Sequence, residues 1–155
     1  MSARGKGTAA AAHAAEPVRV DAYLPHRGAL LLVDRVRRMG PPLAAAELDV
    51  PLGHWAVAGH FPGVPIFPGV LLLEFMAQTG RFLFPEPGTA PALLVRVRHA
   101  RFLAPVHPPA RLVAMASLEG EVGPQFQIRC EAVDEHAPPE GRVVARAHFT
   151  VLRAG

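Results

Sequence analysis

The chain has 155 residues, half of them hydrophobic and 19% charged, with a formal net charge of +3. That length and composition fit one domain with one substantial core, and they exclude an intrinsically disordered chain. Scattered arginines without alternating aromatic residues fall short of a nucleic-acid footprint, and a single cysteine, Cys130, excludes an internal disulfide and a cysteine-rich zinc site.

Aromatic residues make up only 6%, so the core must be built from Leu, Val and Ala. Seventeen prolines and fourteen glycines divide the chain into short elements and argue against a helical bundle. The opening "MSARGKGTAAAAHAAEP" is alanine and charge, without the apolar core of a signal peptide. Residues 1–17 read as a disordered N-terminal tail ahead of a single domain over 18–155, although a transit peptide has a similar composition. No apolar run approaches the roughly 20 residues a membrane span needs, and a reducing cytoplasm is the simplest location.

In chain order, "VRVDAYL" (18–24) predicts a short helix before the turn at Pro25–Gly28. "ALLLVDRVRRM" (29–39) is rich in β-formers, and Gly40-Pro41-Pro42 makes a turn. "LAAAELDV" (43–50) follows as the return strand of a hairpin, weakly marked because alanine is a poor strand former. Residues 51–67 are broken by prolines and glycines and read as an irregular connection. From Pro68 to Phe84 the apolar residues surround the whole cylinder, which predicts a buried helix with proline at its start. Strands are predicted at 92–106, 110–122, 125–133 and 142–153, with Gly123-Pro124 turning between the second and third. The result is an α+β fold, an antiparallel sheet of five or six strands wrapped around one central helix.

One stretch reads as chemistry: "GHFPGVPIFPGVLLLEFMAQTG", residues 59–80. Glu74 stands between Leu73 and Phe75, where a charge is costly. A carboxyl buried there without a cation has its pKa raised and stays protonated near neutrality, as a general acid requires. Gln78, one turn on, is placed to hold that carboxyl. The plainer reading is a structural carboxylate paired to an arginine. His60 lies in a loop that Gly59, Pro62, Gly63, Pro65 and Pro68 make rigid, which suits a base. The remaining histidines with an assigned context, among them His54, His99, His107, His136 and His148, read as structural or surface groups. At Pro68-Gly69-Val70 the unpaired N–H groups of a helix start face outward, and Gly69 has no side chain to block a carbonyl. A base, a protonated acid and an oxyanion donor together suit proton abstraction beside a carbonyl followed by loss of a β-hydroxyl.

The segments "LPHRGALLLVDRV" (24–36), "GHFPGVPIFPGVLLLEFMAQ" (59–78) and "HARFLAPVHPPARL" (99–112) strongly resemble successive segments of the FabZ-type 3-hydroxyacyl-[acyl-carrier-protein] dehydratases, over about residues 20–153. The resemblance implies the hotdog fold, a curved antiparallel β-sheet wrapped around one long central helix. It implies dehydration of (3R)-3-hydroxyacyl thioesters on acyl carrier protein to trans-2-enoyl thioesters, with no cofactor and no metal. By that likeness His60 is the base, Glu74 the acid, Gly69 the backbone oxyanion donor and Gln78 the support of the acid. Val70, Phe61, Pro68 and Trp55 complete the expected substrate-binding set. The histidine and the acid of one site belong to different subunits, which implies a homodimer or a trimer of dimers, or else a paralogous hotdog partner. Arg35, Arg37, Arg38, Arg96, Arg98 and Arg101 are candidates for meeting the acidic surface of acyl carrier protein.

The chain also departs from the family pattern. "GHWAVAGH" (53–60) replaces the usual Asn-Glu-Pro-Phe-Phe-like run, and "PPAR" replaces a Pro-Gly-Asp turn, so Trp55 and Val57 are expected to shape the pocket entrance differently. Alanine and proline richness suits a high-GC genome, where dehydratases of this kind also serve polyketide or aryl polyene assembly beside fatty acid synthesis. Two other readings stand beside the dehydratase: a hotdog acyl-thioesterase, and a non-catalytic acyl-binding subunit of a heteromeric dehydratase.

Overall fold

The computed structural model describes residues 16–154, so the predicted tail lies almost wholly outside the described residues. Six strands form one antiparallel sheet: β1 (Arg35–Arg38), β2 (Leu43–Val50), β3 (Ala92–Phe102), β4 (Ala110–Val122), β5 (Gln125–Asp134) and β6 (Arg142–Arg153). Their order across the sheet is β1-β2-β4-β5-β6-β3, which leaves β1 and β3 as its edges. A four-residue helix, α1 (Trp55–Ala58), and the central helix α2 (Gly69–Gly80) fill the β2–β3 connection. The sheet curls around α2 in the hotdog arrangement.

The alanines that make β2 hard to read are what let the sheet close on the helix. Ala46 pairs with Ala114, which pairs with Ala132, which pairs with Ala145. A parallel row runs Ala44–Ala116–Cys130–Ala147. All eight are at most 1% exposed. Two files of small side chains form a trough, and the Cys130 thiol reaches the Met76 carbonyl of α2 at 3.6 Å. Larger residues there would push the helix off the sheet, because interiors are close-packed. Into the trough α2 sends Leu72, Phe75, Met76 and Thr79, all buried.

Other elements depart from the sequence reading. The helix is not buried all round: Val70 is 71% exposed, and Leu71, Leu73, Glu74 and Ala77 are half-buried, because the sheet covers one side only. Only Arg35–Arg38 of the β-rich 29–39 run is strand, Gly28–Leu30 being a 3-10 turn. The 18–24 helix shrinks to one 3-10 turn, Val20–Ala22, and the irregular 51–67 connection contains α1. Every residue of β3 is exposed. No helix of the described residues is long and apolar enough to cross a membrane.

Candidate active site

His60 is held by its own loop. In Phe61-Pro62-Gly63-Val64 the Val64 N–H donates to the Phe61 carbonyl at 2.9 Å, and Gly63 adopts φ +79°. This is a type II turn, which favours proline second and needs a residue tolerant of positive φ third. Beyond it, Ile66 N–H returns to the His60 carbonyl at 3.3 Å and Phe67 N–H to Val106 at 2.9 Å. The imidazole Nδ1 lies 3.1 Å from the Ile66 carbonyl. A carbonyl only accepts, so Nδ1 carries the proton and the neutral ring keeps a bare Nε2, the form a base requires. Phe61, half-exposed, stacks on this ring with centroids 4.1 Å apart.

Gly69 opens α2, with Pro68 as its N-cap in extended conformation. Leu71 and Leu72 N–H return to the Pro68 carbonyl, so the Gly69 and Val70 N–H groups precede the first helical bond. A Cβ on Gly69 would lie 2.9 Å from the Phe102 ring, which explains glycine at this place. His60, Ile66, Gly69, Val70, Phe102 and Leu103 share one apolar cleft.

Glu74 opens elsewhere, onto a cleft lined by His26, Gln78, Arg81, Leu93 and Leu94. The two clefts have no lining residue in common. Gln78 is 2% exposed and fully bonded: its amide donates to Glu74 Oε1 at 2.8 Å and to the Leu30 carbonyl at 2.6 Å, and its oxygen accepts from Leu32 N–H at 3.0 Å. Gln78 therefore holds the Glu74 carboxyl by a direct hydrogen bond. The expected burial of Glu74 is not found, because its side chain keeps 34% exposure where the sheet leaves α2 open. No arginine pairs with it among the described residues, which disfavours the purely structural reading; the nearest ionisable group is His26, with Nε2 at 3.1 Å from Oε1.

The family model described as a FabA-like domain matches residues 24–147. A 3-hydroxyacyl-[acyl-carrier-protein] dehydratase FabZ from Thermus thermophilus is 43% identical over 85% of this chain and 92% of its own. Another from Solibacter usitatus is 32% identical over 83% and 94%. The chain belongs to the FabZ-type dehydratase family. Among solved structures, the dehydratase heterocomplex ApeI:P from Xenorhabdus doucetiae superimposes with a TM-score of 0.69 over 89% of this chain and 92% of that one, at 16% identity, a likeness of fold.

Against this FabZ-type frame some expectations fail in detail. Trp55 sits on α1, half-exposed with its ring 5.7 Å from His54, and lines neither cleft. His54 is structural as read: its Nδ1 accepts the Ala56 N–H and its ring meets Phe67 edge-on. Arg35 and Arg37, though half-exposed, are already paired with Glu47, Asp49 and Glu135. His148, read as a structural or surface group, stands 3.3 Å from Glu119 away from both clefts. Two residues escaped the sequence reading: Phe102, packed on Gly69, and His26, inside "LPHRGALLLVDRV". The contact of His26 with Glu74 spans 48 positions, and no local pattern announces it. No group of three or more metal-ligating side chains is gathered among the described residues.

Proposed function

We propose that the chain dehydrates 3-hydroxyacyl thioesters of acyl carrier protein to trans-2-enoyl thioesters, in the cytoplasm, at a site shared between two copies of itself. The observation that carries the shared site is the placement of the two clefts. Residues Ala92–Leu94, at one end of β3, line the Glu74 cleft, and Phe102, at the other end, lines the His60 cleft. The strand is a sheet edge, exposed throughout, with Leu93, Leu94, Val95, Val97 and Phe102 all at least 40% exposed. Two such edges pairing antiparallel about a two-fold near Val97 bring the Leu93 end of one copy to the Phe102 end of the other. The Glu74 cleft of each copy then meets the His60 cleft of its partner, and the exposed side of α2 is covered. Trimers of dimers are compatible with this pairing.

In the mechanism His60 Nε2 takes the proton from C2 of the acyl chain. Negative charge moves onto the thioester oxygen, which the Gly69 N–H receives at the positive end of α2. Glu74 gives its proton to the C3 hydroxyl, the C3–O bond breaks, and C2=C3 forms as water leaves. Imidazolium and carboxylate return to their starting states by proton exchange through water. Val70 and Phe61 border the reacting groups, and Pro68 fixes the helix start. Arg96, Arg98 and Arg101 on β3 make no ion pair among the described residues and offer basic surface to an acidic carrier.

The test follows enoyl thioester and free thiol together from a short (3R)-hydroxyacyl-carrier-protein thioester. Wild type is expected to release enoyl product without thiol, and His60→Ala and Glu74→Gln to lose about 10²–10⁴-fold in kcat. Stoichiometric free thiol would instead make the chain a thioesterase.

A further inference from the structure

His26 is absent from the proposed mechanism, yet its ring is placed as deliberately as that of His60. Its Nε2 faces Glu74 Oε1 at 3.1 Å, while Nδ1 is enclosed and has no hydrogen-bond partner among the described residues. A proton on Nδ1 would be a buried donor without an acceptor, an arrangement native interiors avoid. That condition disfavours the imidazolium and the Nδ1–H tautomer together. What remains is a neutral ring with its proton on Nε2, the nitrogen 3.1 Å from the carboxyl.

Gln78 delivers a second N–H to the same oxygen, and its three hydrogen bonds leave its amide only one orientation. The Gln78 N–H is thus bonded to Oε1, and His26 Nε2 lies within 3.1 Å of the same oxygen. An oxygen that accepts two N–H groups is a poor place for a proton, so the acidic proton belongs on Oε2. As that proton leaves for the departing hydroxyl, its bonding pair stays on Glu74, and the two N–H groups stabilise the carboxylate that forms. The other charged group on this cleft, Arg81, is tied to the carbonyls of Phe84, Glu86 and Gly88.

We infer that His26 is a positioning residue for the acid: a neutral Nε2–H donor that, with Gln78, holds Glu74 Oε1 and confines the transferable proton to Oε2. This rests on the reading of Glu74 as the acid, and the experiment separates the two. Four proteins are compared by kcat and KM against pH: wild type, His26→Phe, His26→Gln and Glu74→Gln.

Without the donor, Glu74 becomes a weaker acid. His26→Phe is expected to lose about 10- to 100-fold in kcat with KM within about threefold. The alkaline limb of kcat, where Glu74 loses its proton, should move up by about one pH unit. His26→Gln places an amide N–H where Nε2 stood and should recover most of both. An unmoved limb, or a glutamine variant no better than phenylalanine, would overturn the inference while leaving Glu74 as the acid. Full activity in Glu74→Gln would remove the acid reading and the inference with it. Independently of any variant, a long-range 1H–15N correlation spectrum of the wild-type protein should show His26 protonated on Nε2 alone at neutral pH. A proton on Nδ1 would contradict the assignment.

Discussion

At the scale of residues, the proposed site depends on what is missing as much as on what is present. Gly69 matters because it has no Cβ: the ring of Phe102 occupies the space beside it, and any approaching carbonyl must use the rest. Phe102 is 52% exposed and its ring is the neighbour that must give, so Gly69→Ala should fold with a melting temperature within a few degrees of wild type. Its kcat should nevertheless fall by about tenfold or more, since the methyl stands where the thioester oxygen must reach the N–H. Calorimetry and kinetics on the same preparation check both halves. His60, Glu74, Gly69 and Gln78 were legible because they share one segment whose prolines, glycines and helical spacing are local signals. His26 and Phe102 were not, because each acts across a tertiary contact. The burial of Glu74 was misjudged for a related reason: neighbours in sequence fix hydropathy, whereas exposure depends on how far round the helix the sheet reaches.

At the scale of elements, β1 shows why charge scattered along a strand is a poor guide to partners. Arg35 and Arg37 straddle Glu47, and Arg37 continues to Glu135 while Arg35 and Arg111 meet at Asp49. Burial pushes the Glu47 and Asp49 carboxyls up, but the hydrogen bonds from these arginines outweigh it and hold both below their ordinary values of 4.5 and 3.8. The bond from Arg37 likewise holds Glu135 below 4.5. A carboxyl lowered by folding contributes stability that is complete above its unfolded pKa and is lost as pH falls through the folded one. The edge hairpin should therefore loosen first below about pH 4, read as a falling melting temperature and faster amide exchange in β1 and β2. Glu47→Gln should cost about 1–2 kcal/mol at neutral pH, given the half-exposed arginines, and flatten that acid dependence. An unchanged acid profile in the variant would remove the network from the account. The same hairpin shows the limit of propensity. Ala44 and Ala46 are weak strand formers, and they lie in β2 because the helix above the sheet demands small residues, a requirement no window of sequence contains.

At the scale of the whole molecule, the two sheet edges differ in a way that argues for pairing through one of them. β1 is four residues long and arginine-rich, as protected edges are, whereas β3 is eleven residues long and open, with Leu93, Leu94, Val95, Val97 and Phe102 all exposed. Val97→Asp, at the centre of β3, should convert a dimer to monomer in light scattering and abolish activity without unfolding the chain. The sequence carried the places of the strands along the chain, five or six of them between turn signals, but not their order across the sheet. It did not carry the openness of β3, whose alternation of Val and Arg looks like that of any half-buried strand. The central claim is that each site takes His60 from one copy and Glu74 from the other, and complementation tests it most directly. His60→Ala and Glu74→Gln, each inactive alone, are co-expressed with different tags and the mixed dimer is compared with wild type. In the mixed dimer one site carries both substitutions and the other carries neither, so it should recover about half the wild-type activity per dimer. A mixed dimer as inactive as its parents would place both residues of each site on a single chain and contradict the account.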